Sequence, residues 1–131
     1  MPDLSILKKE GASCTELLEC FFNLGQHECE AFYAVAARDR VTLDELSEII
    51  KRDRSTTHRL LQKLVGEGLC YKEKIVISRG GYIHVYSAVS IPRITQQLNS
   101  RIDGFMEDLK RILPNIESDL RKNIEKIKLQ Q

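Results

Sequence analysis

No apolar run in this sequence approaches the roughly 20 consecutive residues that a membrane-spanning helix needs. The first ten residues, MPDLSILKKE, also lack the apolar core of a secretory signal peptide. We therefore expect a cytoplasmic protein with no membrane partner. The chain has 131 residues, 42% of them hydrophobic, which is enough to bury one modest core and little more.

The four cysteines are irregularly spaced, and no two of them form a C-x-x-C pair. This spacing favours neither a disulfide framework nor a zinc knuckle. Because cysteine packs well as a small hydrophobe, we interpret Cys14, Cys20, Cys29 and Cys70 as reduced core residues and expect no bound metal. The alternative is a redox- or metal-responsive site in which Cys14, Cys20 and Cys29 gather, with His27 beside them.

The sequence has no Gly-rich phosphate loop and no His-Glu-x-x-His motif. It also has no paired carboxylates outside helix faces that we expect to be solvated. We therefore predict no catalytic residue, no cofactor and no enzymatic activity.

Net charge is only +1, but it is unevenly distributed along the chain. Residues 1–37 carry a net charge of −4, residues 38–93 carry +4 and residues 94–131 carry +1. Five basic residues lie between Lys51 and Lys63, against a single acid. A local cation patch of this kind suits contact with phosphates, whereas a solvated helix face is the plainer alternative.

Capping signals divide the first half of the chain into helices. Ser13 and Glu16 have the spacing of a capping box, and we expect Gly25 to end the helix that they open. A second, short helix should extend from about Gln26 to Arg38, where apolar residues recur at helical spacing.

Two more capped helices follow, joined by a tight polar turn. Thr42 and Glu45 form a second capping box, residues 51–54 form the turn, and Ser55 is the expected cap of the next helix. That helix should end at Gly66. Two capped helices joined in this way predict a helix-turn-helix.

After these helices the pattern becomes extended. Ser78-Arg79-Gly80-Gly81 separates two segments rich in β-branched and aromatic residues, and two adjacent glycines supply the positive φ of a tight hairpin turn. The return strand should cover about Tyr82 to Val89. A helix-turn-helix followed by a β-hairpin is a winged helix, so the predicted fold is mainly α with a small β-hairpin wing.

Residues 41–73, VTLDELSEIIKRDRSTTHRLLQKLVGEGLCYKE, resemble the winged-helix core of TrmB-like and MarR-like transcriptional regulators. The resemblance covers about residues 26–89. It implies a regulator that binds double-stranded DNA with the second helix of the motif in the major groove and the wing near the neighbouring backbone or minor groove. We expect no C-terminal effector domain of the kind that larger TrmB-like regulators carry, and effector binding is not inferred.

The recognition helix, the turn before it and the wing supply the candidate DNA contacts. Arg59 can read guanine with two hydrogen bonds and Gln62 can read adenine, while Ser55 and Thr56 are placed to bond phosphate. Arg79 is expected at the tip of the wing. The full predicted set is Arg52, Arg54, Ser55, Thr56, His58, Arg59, Gln62, Lys63, Lys72, Lys74 and Arg79.

Apolar residues of the last third recur at intervals of four, four and three, which is an eleven-residue repeat. This period keeps an apolar stripe in line on a nearly straight helix, as in a coiled coil with a faint right-handed twist. Pro92 is well placed to start the helix, whereas Pro114 kinks or breaks it. The predicted dimerisation residues are Ile94, Leu98, Ile102, Phe105, Leu109, Leu113, Ile116 and Leu120.

We therefore expect three segments. Residues 1–25 form an N-terminal helix that is a candidate part of the dimer interface, residues 26–89 a winged helix-turn-helix, and residues 90–131 a helical dimerisation segment. The stripe could instead fold back onto the first helix. A winged helix that binds protein is a further alternative, but the polar, Arg-bearing recognition face lacks the apolar anchors of such a surface.

Overall fold

The computed structural model describes residues 4–8, 11 and 13–130. Within them lie six α-helices and two strands. In order they are α1 (Cys14–Phe21), α2 (Gln26–Ala36), α3 (Leu43–Ile50), α4 (Arg54–Gly66), β1 (Cys70–Val76), β2 (Tyr82–Ala88), α5 (Ile91–Ile112) and α6 (Ile116–Leu129), with short 3-10 helices at Leu4–Lys8 and Leu113–Asn115. The strands form a two-stranded antiparallel sheet. The predicted fold class, mainly α with a small β-hairpin and a long C-terminal helical segment, is confirmed.

The chain divides into two compact units, the first ending at Leu98 and the second beginning at Asn99. The first unit contains the helix-turn-helix and the hairpin. None of the helices in the described residues is long and apolar enough to cross a membrane.

The first two helices end and begin differently from the prediction. The Ser13 backbone N–H donates to Glu16 Oε2 at 2.8 Å, as expected of the capping signal. However, α1 ends at Phe21, and the left-handed residue after it is Asn23, with φ 55°. Gly25 is the N-cap of α2 instead of the stop of α1, so its predicted role was wrong. Among residues other than glycine, asparagine is one of those that most often adopt the left-handed region, which is consistent with the earlier stop at Asn23.

The capping box of α3 is confirmed. The Glu45 N–H donates to Thr42 Oγ1 at 3.1 Å, and the Thr42 N–H donates to Glu45 Oε1 at 3.0 Å. Lys51 then takes the left-handed conformation, with φ 56°, and ends the helix.

The recognition helix α4 begins earlier than predicted. Its N-cap is Asp53, whose Oδ1 accepts a hydrogen bond from the Thr56 N–H at 2.7 Å. Ser55 is therefore inside the first turn, and its predicted capping role was wrong. Asp and Ser are equally good caps, and the tight stop at Lys51 leaves the chain ready to enter the next helix at Arg54.

The core of the first unit is formed where α2, α3, α4 and the hairpin meet. Its fully buried side chains include Phe22, Val35, Val41, Leu46, Leu61, Leu64 and Leu69. Burial of each large apolar side chain contributes about 1.5–3 kcal/mol. The hairpin is joined to this core by paired backbone hydrogen bonds between Val41 and Tyr86, at 2.9 and 2.7 Å.

The wing has the predicted turn and return strand. Gly80 and Gly81 have φ 88° and 82°, which only glycine adopts freely. In the antiparallel register, Lys72 is opposite Tyr86 and Lys74 is opposite His84. These four residues therefore share one face of the hairpin, since side chains alternate between faces along a strand.

The C-terminal helical segment is interrupted once. The 3-10 helix Leu113–Asn115, which contains Pro114, separates α5 from α6. The second unit leaves its apolar side chains open in the single chain: those at positions 109, 112, 113, 116, 120, 124 and 127 are 44–62% exposed.

Candidate nucleic-acid interface

Helix α4 has one face in the core and one in solvent. Thr57, Leu61 and Leu64 are buried, and the Thr57 hydroxyl donates to the Asp53 carbonyl at 2.8 Å. The hydrogen bond satisfies the Thr57 hydroxyl within the helix itself, and the burial of these three side chains sets which face of α4 points to the core. On the other faces Ser55, His58, Arg59 and Gln62 are exposed, while Thr56 and Lys63 are half-buried. All six predicted contact residues of α4 after Arg54 thus have side chains that solvent reaches.

A cleft of about 830 Å³ lies between the first turns of α3 and α4 and the hairpin. It brings together four of the predicted contact residues, namely Arg54, Ser55, His58 and Lys72. The other seven, Arg52, Thr56, Arg59, Gln62, Lys63, Lys74 and Arg79, are not part of its lining. The predicted residues of α4 are therefore divided between the cleft and the neighbouring exposed surface of the helix.

Arg54 has an acidic neighbour that the sequence pattern did not reveal. Its Nε donates to Asp44 Oδ1 at 2.8 Å, and both side chains are more than 70% exposed. An exposed pair of this kind contributes at most about 1 kcal/mol. Arg54 is therefore held at the edge of the cleft by a bond weak enough for a phosphate to replace.

Arg52 lies apart from the cleft. Its guanidinium is 3.0 Å from Nδ1 of His27, at the first turn of α2, and that same nitrogen is 3.6 Å from a Glu30 carboxylate oxygen. Arg52 thus extends the basic surface towards α2.

On the wing, Lys74 Nζ lies 3.7 Å from the centroid of the Tyr82 ring. This is a cation–π contact, which keeps the ammonium on the cleft side of the hairpin. Arg79 is exposed in the turn at the tip. The predicted wing residues are therefore on the surface, but only Lys72 lines the cleft.

Sequence reasoning missed Tyr82 and His84, which both line the cleft. Their rings are in edge contact, with centroids 5.2 Å apart. The signal was available in the alternation from Tyr82 to Tyr86, because every second residue of a strand faces the same way. Pairing β2 with β1 then places these rings beside the lysines that were predicted.

The cap of α4 carries a perturbed carboxyl group. Hydrogen bonds from the Thr56 side chain and backbone hold the pKa of Asp53 below its usual value. The N-terminus of the recognition helix is thus capped by an ionised carboxylate at any pH near neutrality.

The cysteines divide into one exposed and three buried side chains. Cys20, Cys29 and Cys70 are buried, as the core interpretation predicts, but Cys14 is exposed, and for it that interpretation was wrong. Burial raises the pKa of the Cys70 thiol to about 12. Burial, followed by the charges of nearby glutamates, raises that of Cys29 to about 11. Nowhere in residues 4–8, 11 and 13–130 do three His, Cys, Asp or Glu side chains gather closely enough to hold a metal ion.

The predicted dimerisation residues are divided between the two units. Ile94 is buried in the core of the first unit, and Leu98 packs against that core. In the second unit Ile102 and Phe105 are half-buried, whereas Leu109, Leu113, Ile116 and Leu120 are exposed.

Among known proteins, the chain is similar to an uncharacterized protein of Methanocaldococcus jannaschii. The two are 24% identical over 101 residues, which cover 77% of this chain and 76% of that protein. The fold is similar to that of a possible transcriptional regulator from Methanosarcina mazei, with a TM-score of 0.70, 20% identity and coverage of 79% of this chain and 88% of that one.

A third similar structure is TrmBL2, described as an archaeal chromatin protein with a novel mode of DNA binding. Its TM-score is 0.61 at 21% identity, and the match covers 88% of this chain but only 42% of TrmBL2. At these identities the likeness establishes the fold, which is the winged helix that the sequence predicts.

A family model described as "Sugar-specific transcriptional regulator TrmB" matches residues 18–92. That span holds the whole helix-turn-helix and the wing, and it includes residues 41–73, which carry the resemblance seen in the sequence. Because the match covers more than half of the chain, this protein belongs to the TrmB family of transcriptional regulators.

Proposed function

We propose that this protein is a homodimeric regulator that binds specific sites on double-stranded DNA through α4 and the wing. The observation that carries the proposal is the solvent face of α4, which is polar and basic and has no large apolar side chain. In a member of a regulator family this face fits the major groove. The DNA binding stated for TrmBL2, a protein of similar fold, supports the same partner.

On this proposal α4 reads bases and its surroundings hold the backbone. Arg59 lies more than one turn and Gln62 more than two turns into the helix, both on its exposed side, within reach of base edges once the helix enters the groove. Lys72 on the wing and Arg79 at its tip contact phosphates, which fixes the register of the protein on the duplex. Lys74 on the wing, the first turn of α4 and the residues that precede it supply the remaining predicted phosphate contacts.

The apolar stripe of the second unit supports the homodimer. A soluble chain seldom leaves so many large apolar side chains open along one line, because water would have to solvate them. A second copy of the same stripe is a matching cover, and a two-fold dimer is expected to prefer inverted half-sites about one helical turn, roughly 34–36 Å, apart on the duplex. Residues 1–25, 26–89 and 90–131 remain the proposed division into N-terminal helix, DNA-binding domain and dimerisation segment.

Arg59→Ala tests base reading. After selection of a preferred site from genomic DNA, this substitution should weaken binding to that site by about 1–3 kcal/mol and reduce the preference for it over random duplex. Fluorescence anisotropy on the selected and a scrambled duplex measures both effects. Lys122→Ala, which removes an exposed positive charge from α6, is the control and should change neither.

Arg79→Ala tests contact with the DNA backbone, and its effect should differ from that of Arg59→Ala. It should weaken selected and random duplex by similar factors and make the dependence of affinity on salt shallower by roughly one unit per protomer. A wild-type protein that does not bind duplex DNA at low salt would overturn the proposal in favour of a winged helix that binds protein.

Metal analysis tests the sensor alternative. Stoichiometric zinc or iron in protein purified without added metal, lost on replacement of Cys20 or Cys29, would favour that alternative over the proposed function.

A further inference from the structure

Two of the three histidines of the chain face the same cleft from opposite walls. His58 lies on the exposed face of α4, one turn after Arg54, and His84 lies on β2. Both side chains are exposed, and both line the cleft of about 830 Å³. The proposed reading of bases by Arg59 and Gln62 does not explain why a histidine on the wing, His84, faces one on the recognition helix, His58.

The other groups that face this cleft leave it electropositive. They are Arg54 on α4, its ion-pair partner Asp44 on α3, and Lys72 on β1. The only carboxylate of the lining is thus already paired with a guanidinium. Lys74 is directly opposite His84 in the hairpin register. The remaining titratable groups of the lining are the phenols of Tyr82 and Tyr86, and burial raises the pKa of Tyr86 above its usual value.

We propose that this cleft holds the sugar-phosphate backbone of one DNA strand and that its hold strengthens when His58 and His84 are protonated. The inference rests on the proposed DNA binding and adds a regulation of it by pH. The partner is identified by its chemistry, because a groove with cations on two walls and one compensated acid fits a run of phosphodiesters.

The chemistry of imidazole gives the direction of the effect. Neutral imidazole has one N–H donor, whereas imidazolium has two and carries a positive charge, so phosphate oxygens favour the charged form. Binding of the duplex therefore takes up protons. By linkage, affinity rises as the pH falls through the range in which histidine titrates, about pH 5 to 8.

Phosphates are the same at every sequence, which sharpens the expectation. A gain through the cleft should apply equally to the selected site and to random duplex. The ratio of the two affinities should then stay constant with pH, unlike the effect of Arg59→Ala, which lowers that ratio.

The test compares wild type with His58→Gln, His84→Gln and the double variant at pH 8.0 and 6.0 and constant ionic strength. At pH 6.0 most carboxylates are still ionised, so histidines dominate the change. Wild type should tighten roughly five- to thirtyfold per protomer on both duplexes, as expected for one or two imidazoles in each cleft that each take up most of a proton. Each single variant should lose part of this gain, and the double variant should change less than about twofold.

His27→Gln is the matched control. His27 lies outside the cleft, beside Arg52 and Glu30, so its loss should leave the pH dependence intact. Because His58 and His84 are both exposed, their variants should keep the thermal unfolding midpoint of wild type at each pH, which circular dichroism checks.

Each remaining outcome separates the inference from the proposed function. Salt-sensitive binding that is independent of pH, or a double variant that keeps the full pH dependence, would overturn the inference while DNA binding stands. A pH dependence that disappears only with His27→Gln would overturn it as well. A wild type that fails to bind duplex DNA at both pH values would overturn the proposed function itself.

Discussion

Helices α4 and α6 are both amphipathic, but the apolar side chains of α4 are buried or half-buried, whereas those of α6 are exposed. In the first unit the apolar face of α4 is closed by α2, α3 and the hairpin, and Leu61 and Leu64 are fully buried. In the described part of the second unit no side chain is buried, and Ile116, Leu120 and Ile124 are about half exposed. Periodicity therefore identifies an apolar face, but it does not say whether the same chain or another one covers it.

Charged substitutions in the apolar stripe of the second unit have the largest expected effect. Leu109→Glu with Leu120→Glu should leave the single chain folded, because both side chains are already about half exposed there. In the proposed dimer each glutamate would be an unpaired buried charge, which costs about 3–5 kcal/mol. We expect the dissociation constant to rise by three orders of magnitude or more, measured by analytical ultracentrifugation or light scattering.

Lys122→Glu, which changes charge on the same helix at an exposed polar position, is the control for that experiment. It should leave the dimer intact. A wild-type protein that is monomeric at micromolar concentration would contradict the proposed dimer and mean that a second copy does not bury the apolar stripe.

Thiol reactivity tests how tightly the first unit is closed. The thiolate is the reactive form, so raising the pKa of Cys70 from 9.0 to about 12 lowers its thiolate fraction about a thousandfold at pH 8. Cys29, with a pKa of about 11, should react about a hundredfold more slowly than an ordinary thiol. A chromogenic disulfide reagent should therefore modify exposed Cys14 first and these two only on unfolding.

A Cys14→Ser variant should remove the fast phase of that reaction and nothing else. Rapid modification of Cys29 or Cys70 in the folded protein would mean that the core opens easily. That result would also revive a redox role for these side chains.

Leucine-to-alanine substitutions compare the two units directly, and the smallest expected effect is that of Leu120→Ala on the isolated chain. Leu61→Ala removes a fully buried side chain and should lower the free energy of unfolding by about 2–5 kcal/mol. Leu120→Ala should cost the isolated chain less than about 1 kcal/mol, and its larger effect should appear only where stability depends on protein concentration. Urea unfolding at two concentrations measures both. Equal losses at high dilution would contradict the difference between the units.

Most of the winged helix could be predicted because its signals are local. The capping box at Thr42, the paired glycines at the tip of the wing and the alternation of β2 each depend on residues a few positions apart. The helix ends were less certain where two residues compete for one role. Asn23 replaces Gly25 as the left-handed stop, and Asp53 replaces Ser55 as the cap, because the path of the folded chain decides between chemically similar candidates.

The candidate site was predicted only in part, since its geometry depends on distances between elements. Sequence spacing placed Arg54 on the basic surface, but its bond to Asp44 joins two helices and has no local signal. The exposure of Cys14 likewise depends on how α1 packs and not on its neighbours in sequence. His84 is an intermediate case, because the strand pattern gives its face and only the register gives its neighbours.

The short 3-10 helix at Pro114 has a consequence for how this family member can change during evolution. Leu113 and Ile116 are three residues apart, which is one turn of a 3-10 helix, so the stripe passes the proline without losing its line. Insertion of one residue between them would rotate every later side chain by about 100°, since an α-helix has 3.6 residues per turn. In the proposed dimer, Leu120, Ile124 and Ile127 would then face away from the stripe of the partner protomer. If the stripe forms the proposed dimer, we expect length at this point to be under tighter constraint than residue identity, with insertions and deletions tolerated only where they restore the eleven-residue phase.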